Sequence, residues 1–215
     1  MTGKKLYVVG FVCALLAATP VPSADLGAGV RAGTQGLGAE FGVGLNSWFG
    51  LRAGAYWLDV DDTYESDDIT YDGTVELGGY GVLADFYPMK GTFRITAGIL
   101  ANRNGADLGA TPTAPIDIGN GTYDPAEVGT LSGTMDFNDT APYFGIGWGN
   151  IAKGKRFGFL CDLGVVRQGS GDVTLSSSTG LVDPADLAAE IASIEEDIED
   201  YEFWPVISFG LAIRF

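Results

Sequence analysis

The chain has 215 residues, with 33 Gly, 46% apolar residues, no His and a formal charge of −16. That length suits one domain, and the acidity excludes a protein that neutralises nucleic-acid phosphates. Without histidine, Ser-His-Asp and Cys-His catalysis and every His-ligated metal are also excluded.

The first 24 residues read as an export signal. Lys4 and Lys5 form a positive start, Leu6 to Ala18 is an apolar run, and Val21-Pro22-Ser23-Ala24 supplies small residues, so cleavage is expected after Ser23 or Ala24. The run is too short to cross a bilayer as a helix, which disfavours a retained anchor. Removing it takes Cys13 with it. Cys161 is then the one remaining thiol, which supports neither a disulfide framework nor a Cys-based zinc site. No later apolar run reaches transmembrane-helix length, so if the chain enters a membrane it does so as a closed sheet.

From residue 25 onward the dominant signal is period-two alternation, often with glycine as the small partner. Leu37, Ala39, Phe41, Val43 and Leu45 share one face; Gly38, Glu40, Gly42 and Gly44 share the other. Phe93, Ile95, Ala97 and Ile99 separate in the same way from Arg94, Thr96 and Gly98. Phe157, Phe159, Cys161, Leu163 and Val165 separate from Gly158, Leu160, Asp162 and Gly164. The last segment puts Phe203, Pro205, Ile207, Phe209, Leu211, Ile213 and Phe215 on one face, and Glu202, Ser208, Gly210 and Arg214 on the other.

Eight such segments are expected, at 26–34, 37–46, 50–59, 75–88, 92–102, 141–150, 156–167 and 202–215. Most have the nine to eleven residues of a tilted membrane strand. Tight connectors at 46–49, 89–91 and 151–155 alternate with long ones at 60–74, 103–140 and 168–201. Short turns at one end and long loops at the other match an outer-membrane barrel. The exception is the short hairpin around Thr34-Gln35-Gly36, which falls at the long-loop end. Trp48, Phe49, Tyr87, Phe93, Trp148, Phe157 and Phe215 collect near the turns, and Tyr56, Trp57, Phe203 and Trp204 near the loops, as interface aromatics do.

The long connectors hold most of the acid. Asp59, Asp61, Asp62, Glu65, Asp67 and Asp68 have the oxygen chemistry of a divalent-cation loop but lack EF-hand spacing, which favours a solvated loop. In the last connector, Asp183 caps a helix beginning at Pro184. Leu187, Ile191, Ile194 and Ile198 recur at helical spacing, opposite an acidic face. The expectation is one short helix resting its apolar stripe on the barrel mouth, its charges solvated.

Closing the eight segments into a barrel turns Arg31, Glu40, Arg52, Asp85, Arg94, Asp162 and Arg214 inward. Buried charges need partners, so these residues are expected to form an ion-pair network filling the lumen. A narrow polar pore is the alternative, which the many inward glycines favour by leaving space. Nothing in the chain distinguishes a catalytic acid, and Gly145-Ile146-Gly147-Trp148-Gly149 has the period of a strand, not of a nucleotide loop. No cofactor is expected.

The ending Phe209-Gly210-Leu211-Ala212-Ile213-Arg214-Phe215 resembles the C-terminal signal of outer-membrane barrels, with Phe209, Leu211, Ile213 and Phe215 as its outward residues. Tyr71-Asp72-Gly73, Ala84-Asp85-Phe86-Tyr87-Pro88, 141–150 and Phe203-Trp204-Pro205-Val206 resemble a proteobacterial family of small outer-membrane proteins. Its architecture is similar to that of the OmpA barrel and OmpW. The resemblance covers 25–215 and implies an eight-stranded antiparallel transmembrane β-barrel of Gram-negative bacteria with long external loops. It implies no activity. The lipid-A-modifying barrels of like size depend on histidine, which this chain lacks.

The resulting expectation is a non-enzymatic barrel that is structural or interacts through acidic external loops, the alternative being a narrow channel for small or apolar solutes. A soluble exported β-sandwich is the third reading, disfavoured by aromatics at both ends of one face. Expected partners are outer-membrane lipid, lipopolysaccharide and the barrel assembly machinery. Divalent cations are a further candidate at the acidic loops.

Overall fold

The computed structural model describes residues 25–65 and 69–215. The expected export signal lies outside the described residues, as do Asp67 and Asp68. The alternating segments form strands β1 (Asp25–Gly33), β2 (Gly36–Gly44), β3 (Phe49–Glu65), β4 (Ile69–Phe86) and β5 (Phe93–Asn102). With β10 (Thr140–Trp148), β11 (Phe157–Arg167) and β13 (Phe203–Arg214) they form the barrel. Each pairs antiparallel with its neighbour, and Gly27–Gly33 of β1 pairs with Ser208–Arg214 of β13, which closes the ring. A closed ring has no free edge, so the barrel is not a sandwich.

Side chains sort by parity. Outward residues such as Val30, Leu37, Val82, Ile99, Phe144, Phe159, Phe209 and Leu211 are each more than half exposed. Inward ones, including every charged residue from Arg31 to Asp162 in the expected network, are buried. Three aromatics expected at the rims instead point inward by the same rule. Tyr56 donates to Glu40, Trp204 Nε1 reaches the Thr34 carbonyl at 3.3 Å, and Tyr87 is buried beside Asp85.

The expected long loops are largely regular structure, strands together with helix. β3 and β4 continue past the barrel as a hairpin, register-matched from Leu58↔Leu77 to Glu65↔Thr70. At its barrel end β4 pairs with β5, and at its far end with β6 (Gly105–Pro112). The switch falls at Gly78 and Gly79, whose φ values of 137° and 144° lie outside the range favoured by L side chains. A Cβ on Gly78 would sit 2.2 Å from the Tyr56 carbonyl oxygen, so the strand forks where only glycine fits.

Beyond β6 the sheet continues through β9 (Leu131–Asp136) to β12 (Asp172–Ser177). A small hairpin, β7 (Ile116–Ile118) and β8 (Gly121–Tyr123), and a one-turn helix α1 (Pro125–Val128) lie between. Helix α2 (Pro184–Asp197) begins as expected, Asp183 Oδ1 accepting from Ala185 N at 2.8 Å. It packs on β12 and the β7–β8 hairpin, not on the barrel mouth. Leu187 joins a core of Ile118, Val128 and Val182 that belongs to the external layer. Three of its acids are not solvent-facing spares: Glu190 accepts from Gly119 N at 2.9 Å, Asp186 from Asn120 N at 3.2 Å and Glu195 from Val173 N at 3.2 Å. Asp186 also accepts from the Tyr123 hydroxyl at 2.5 Å, a bond that holds this phenol above its ordinary pKa.

Candidate functional site

Three layers fill the lumen. In the middle, strand parity brings Arg31, Arg52 and Arg94 against Glu40, Asp85 and Asp162. Arg52 Nε lies 2.7 Å from Asp85, its Nη1 lies 3.1 Å from Glu40, and Arg94 Nη2 lies 2.7 Å from Asp162. Arg31 Nε lies 2.6 Å from Glu40, while its Nη1 contacts Asp162 and reaches Ser208 Oγ at 3.1 Å. Thr96 donates to Asp85 at 2.6 Å. Three cations and three anions balance, and each charge has partners from more than one strand. Buried ions this close are tolerable only in such an arrangement.

Arg214, expected in the same set, is not part of it. It lies several residues nearer the turn end, half-buried, where its Nε donates to the Asn150 carbonyl at 2.9 Å and another guanidinium nitrogen to Lys155. Parity chose its side of the wall correctly, but its height along the barrel keeps it from any lumen carboxylate.

Above the network, Leu83, Leu100, Ala141, Tyr143, Val166 and Val206 form an apolar layer with Trp204 against it. Below it, Ile151 and Ala152 of the β10–β11 turn enter the barrel and pack on Leu160 and Ala212. The inward glycines that favoured a pore are seats for these side chains. A Cβ on Gly42 would lie 2.0 Å from Ile151 Cγ2, and one on Gly164 would lie 2.5 Å from the Tyr143 hydroxyl. The void left beside the network is about 10 Å³, room for about one water.

A polar collar joins the barrel to the external sheet. Asn104 Oδ1 accepts from Gly78 N at 2.9 Å, its Nδ2 donates to Gln168 at 2.7 Å, and Gln168 Nε2 donates to the Tyr201 carbonyl at 2.9 Å. Asn104 and Gln168 are both buried. These bonds fasten the fork of β4 to the end of β11.

The external sheet has two unlike faces. Its register puts Val60, Val75, Ala106, Met135 and Val173 in one row of one face, which α2 covers at the β12 end. On the other face, Asp59, Glu76, Gly105, Asp136 and Asp172 form the row nearest the barrel. Asp61, Thr74, Asp107, Thr134 and Thr174 form the next, and Thr63, Asp72, Gly109, Ser132 and Ser176 the third. A groove of about 500 Å³ runs between the last two rows across four strands. Thr74 donates to Asp61 at 2.7 Å and Thr63 to Asp72 at 2.9 Å, which orients those carboxylates. No Lys or Arg lies on these strands beyond the barrel. Asp59 faces Glu76 and Asp136 faces Asp172 directly, like-charge pairs that cost stability when unneutralised.

The sequence alone does not mark this face as a structured surface, because clustered acid is equally the composition of a solvated loop. The alternation of Thr70, Asp72, Thr74 and Glu76 with Tyr71, Gly73, Val75 and Leu77 was the available signal. Among the described residues, no group of three or more acidic, His or Cys side chains converges to hold a metal ion. The divalent-cation expectation at Asp59–Asp68 therefore gains no geometry from the described part of that segment.

Two solved structures resemble the chain. Acinetobacter baumannii CarO2 is 20% identical with a TM-score of 0.60, covering 90% of this chain and 100% of that one. Acinetobacter baumannii CarO is 24% identical with a TM-score of 0.59, covering 88% and 97%. At these identities the likeness establishes a common barrel fold. No protein-family model and no curated protein matches the sequence.

Proposed function

We propose that the protein is a non-enzymatic outer-membrane barrel whose closed lumen serves as a pedestal for the external sheet, through which it engages cationic partners. The filled lumen carries this reading: an apolar floor, a balanced ion network and an apolar cap leave space for about one water. Support for the membrane comes from outward side chains. Phe159 is 82% exposed and Phe209 64%, in a continuous apolar surface that water would penalise. Lipid and lipopolysaccharide would cover it, and Phe209, Leu211, Ile213 and Phe215 stand as the proposed signal to the assembly machinery. Lys90 over Trp48 at 4.7 Å at the turn end, and Arg103 over Tyr80 at 5.8 Å at the loop end, suit the two headgroup levels.

The channel reading predicts reproducible conductance steps from purified protein in planar bilayers. The expected result is a quiet membrane, and steps from the unaltered protein would overturn the pedestal.

For the external face the probe is an extended Lys-rich peptide, measured by surface plasmon resonance on the micelle-embedded protein. Binding should weaken with salt, because exposed charges are screened. The triple variant Asp61→Asn, Asp72→Asn, Asp107→Asn should lose roughly tenfold in affinity, taking up to about 1 kcal/mol for each exposed pair. Unchanged binding by that variant would reject the face and leave its acids as a solvating coat.

A further inference from the structure

We propose that the turn between β10 and β11, residues 149–156, is a clasp that locks the seam between the first and last strands of the ring. Closing the barrel brings Gly27 against Arg214, nearly the whole chain apart in sequence. Such a junction bears the largest loop-closure cost in the ring. A segment that grips both strands from elsewhere in the chain opposes its reopening.

The turn grips each side. Toward β1 and β2, Ile151 fills space that glycines leave. A Cβ on Gly27 would lie 1.9 Å from the Ile151 carbonyl oxygen, and one on Gly42 would lie 2.0 Å from its Cγ2. Lys153 Nζ also lies 3.2 Å from Asp25 at the start of β1. Toward the other side of the seam, Ile151 and Ala152 pack with Ala212 of β13. Arg214 of β13 donates to the Asn150 carbonyl at 2.9 Å from Nε, and its backbone N–H donates to the Arg156 carbonyl at 2.9 Å. The other two turn-side connectors have exposed tips, Trp48 and Met89, the latter by 73%, and the side chain that enters from them, Tyr87, lies beside Asp85 of β4. Arg214, which joins no lumen ion pair, thus acts as the fastening of this turn.

Amide hydrogen exchange on the full mature chain in detergent micelles tests the clasp. Ile151→Gly should speed exchange at Gly27–Gly33 and Ser208–Arg214 by about tenfold or more, as loss of a buried aliphatic side chain implies. The β3–β4 and β4–β5 ladders should change much less. Equal acceleration of every ladder, or none at the seam, would overturn the proposal. Lys153→Ala leaves the apolar insertion in place, so it keeps the test open if Ile151→Gly fails to fold. It should speed the seam alone, by roughly twofold to threefold, the scale of an exposed ion pair. Gly42→Ala should loosen the seam when Ile151 is present and lose that effect when Ile151 is glycine. The same effect in both backgrounds would show that the turn is not seated there.

Discussion

Asp162→Ala destabilises the barrel by about 3–5 kcal/mol, the cost of stripping a buried ion of its partner. Asp162 is the shared neighbour of all three lumen arginines: it contacts Arg31, lies 2.7 Å from Arg94 and lies 3.4 Å from Arg52. Without it, Glu40 and Asp85 must serve three guanidinium groups in a space too small for hydration. Asp162→Asn should cost nearly as much, because shape is retained while charge balance is lost. Urea unfolding of the micelle-embedded protein, followed by the gel shift between folded and heated forms, measures the change. A loss under about 1 kcal/mol, typical of an exposed pair, would mean that water fills the lumen.

The second large effect lies on the opposite side of the same wall. Ile207→Arg and Phe209→Arg should each cost about 2–4 kcal/mol and reduce the amount of assembled barrel, if lipid covers their side chains. Arginine at Ser208, on the lumen side of the same strand, is milder provided the lumen has room. The structure removes that proviso: Ser208 is buried with its Oγ 3.1 Å from Arg31 Nη1. A guanidinium there would meet another cation in a packed layer, so Ser208→Arg is expected to be as damaging as its neighbours. Ser208→Ala should lose only about 1 kcal/mol, the worth of one hydrogen bond. The readout is the folded fraction in outer-membrane preparations. Good assembly of Ile207→Arg together with failure of Ser208→Ala would reverse the assigned faces.

The barrel itself was largely legible. Each of its strands was expected within a few residues at most ends, because alternation reports directly which side of a pleated strand is buried. The network members Arg31, Glu40, Arg52, Asp85, Arg94 and Asp162 were identified by parity alone. Parity is a two-valued signal, however, and carries no height. That is why Arg214 was grouped with residues it never meets. Tyr56, Tyr87 and Trp204 differ from the expectation for another reason: they lie near strand ends, where interface aromatics gather, yet their parity turns them inward.

The external layer was less legible. In the barrel strands, glycine and aliphatic residues contrast strongly; in β4 beyond Gly78 the contrast is between Thr or Asp and Tyr, Gly or Val. Composition there resembles a solvated loop, although the period is still two. The short strands β6, β9 and β12 are held by pairing with chain segments far away, from β4 through to residue 177. Local sequence does not encode that partnership.

Alternation, the lack of histidine and the eight spaced segments determined a ring of strands and excluded His-based chemistry, because each depends only on residue type and spacing. Whether the ring was hollow was decided by tertiary structure. Whether an inward glycine leaves a hole depends on the side chain that another strand or turn sends into it. Gly42 receives Ile151 and Gly164 receives the Tyr143 hydroxyl. Pairing across the whole chain sets those meetings, and it also makes one face of the acidic connectors a surface instead of a coil.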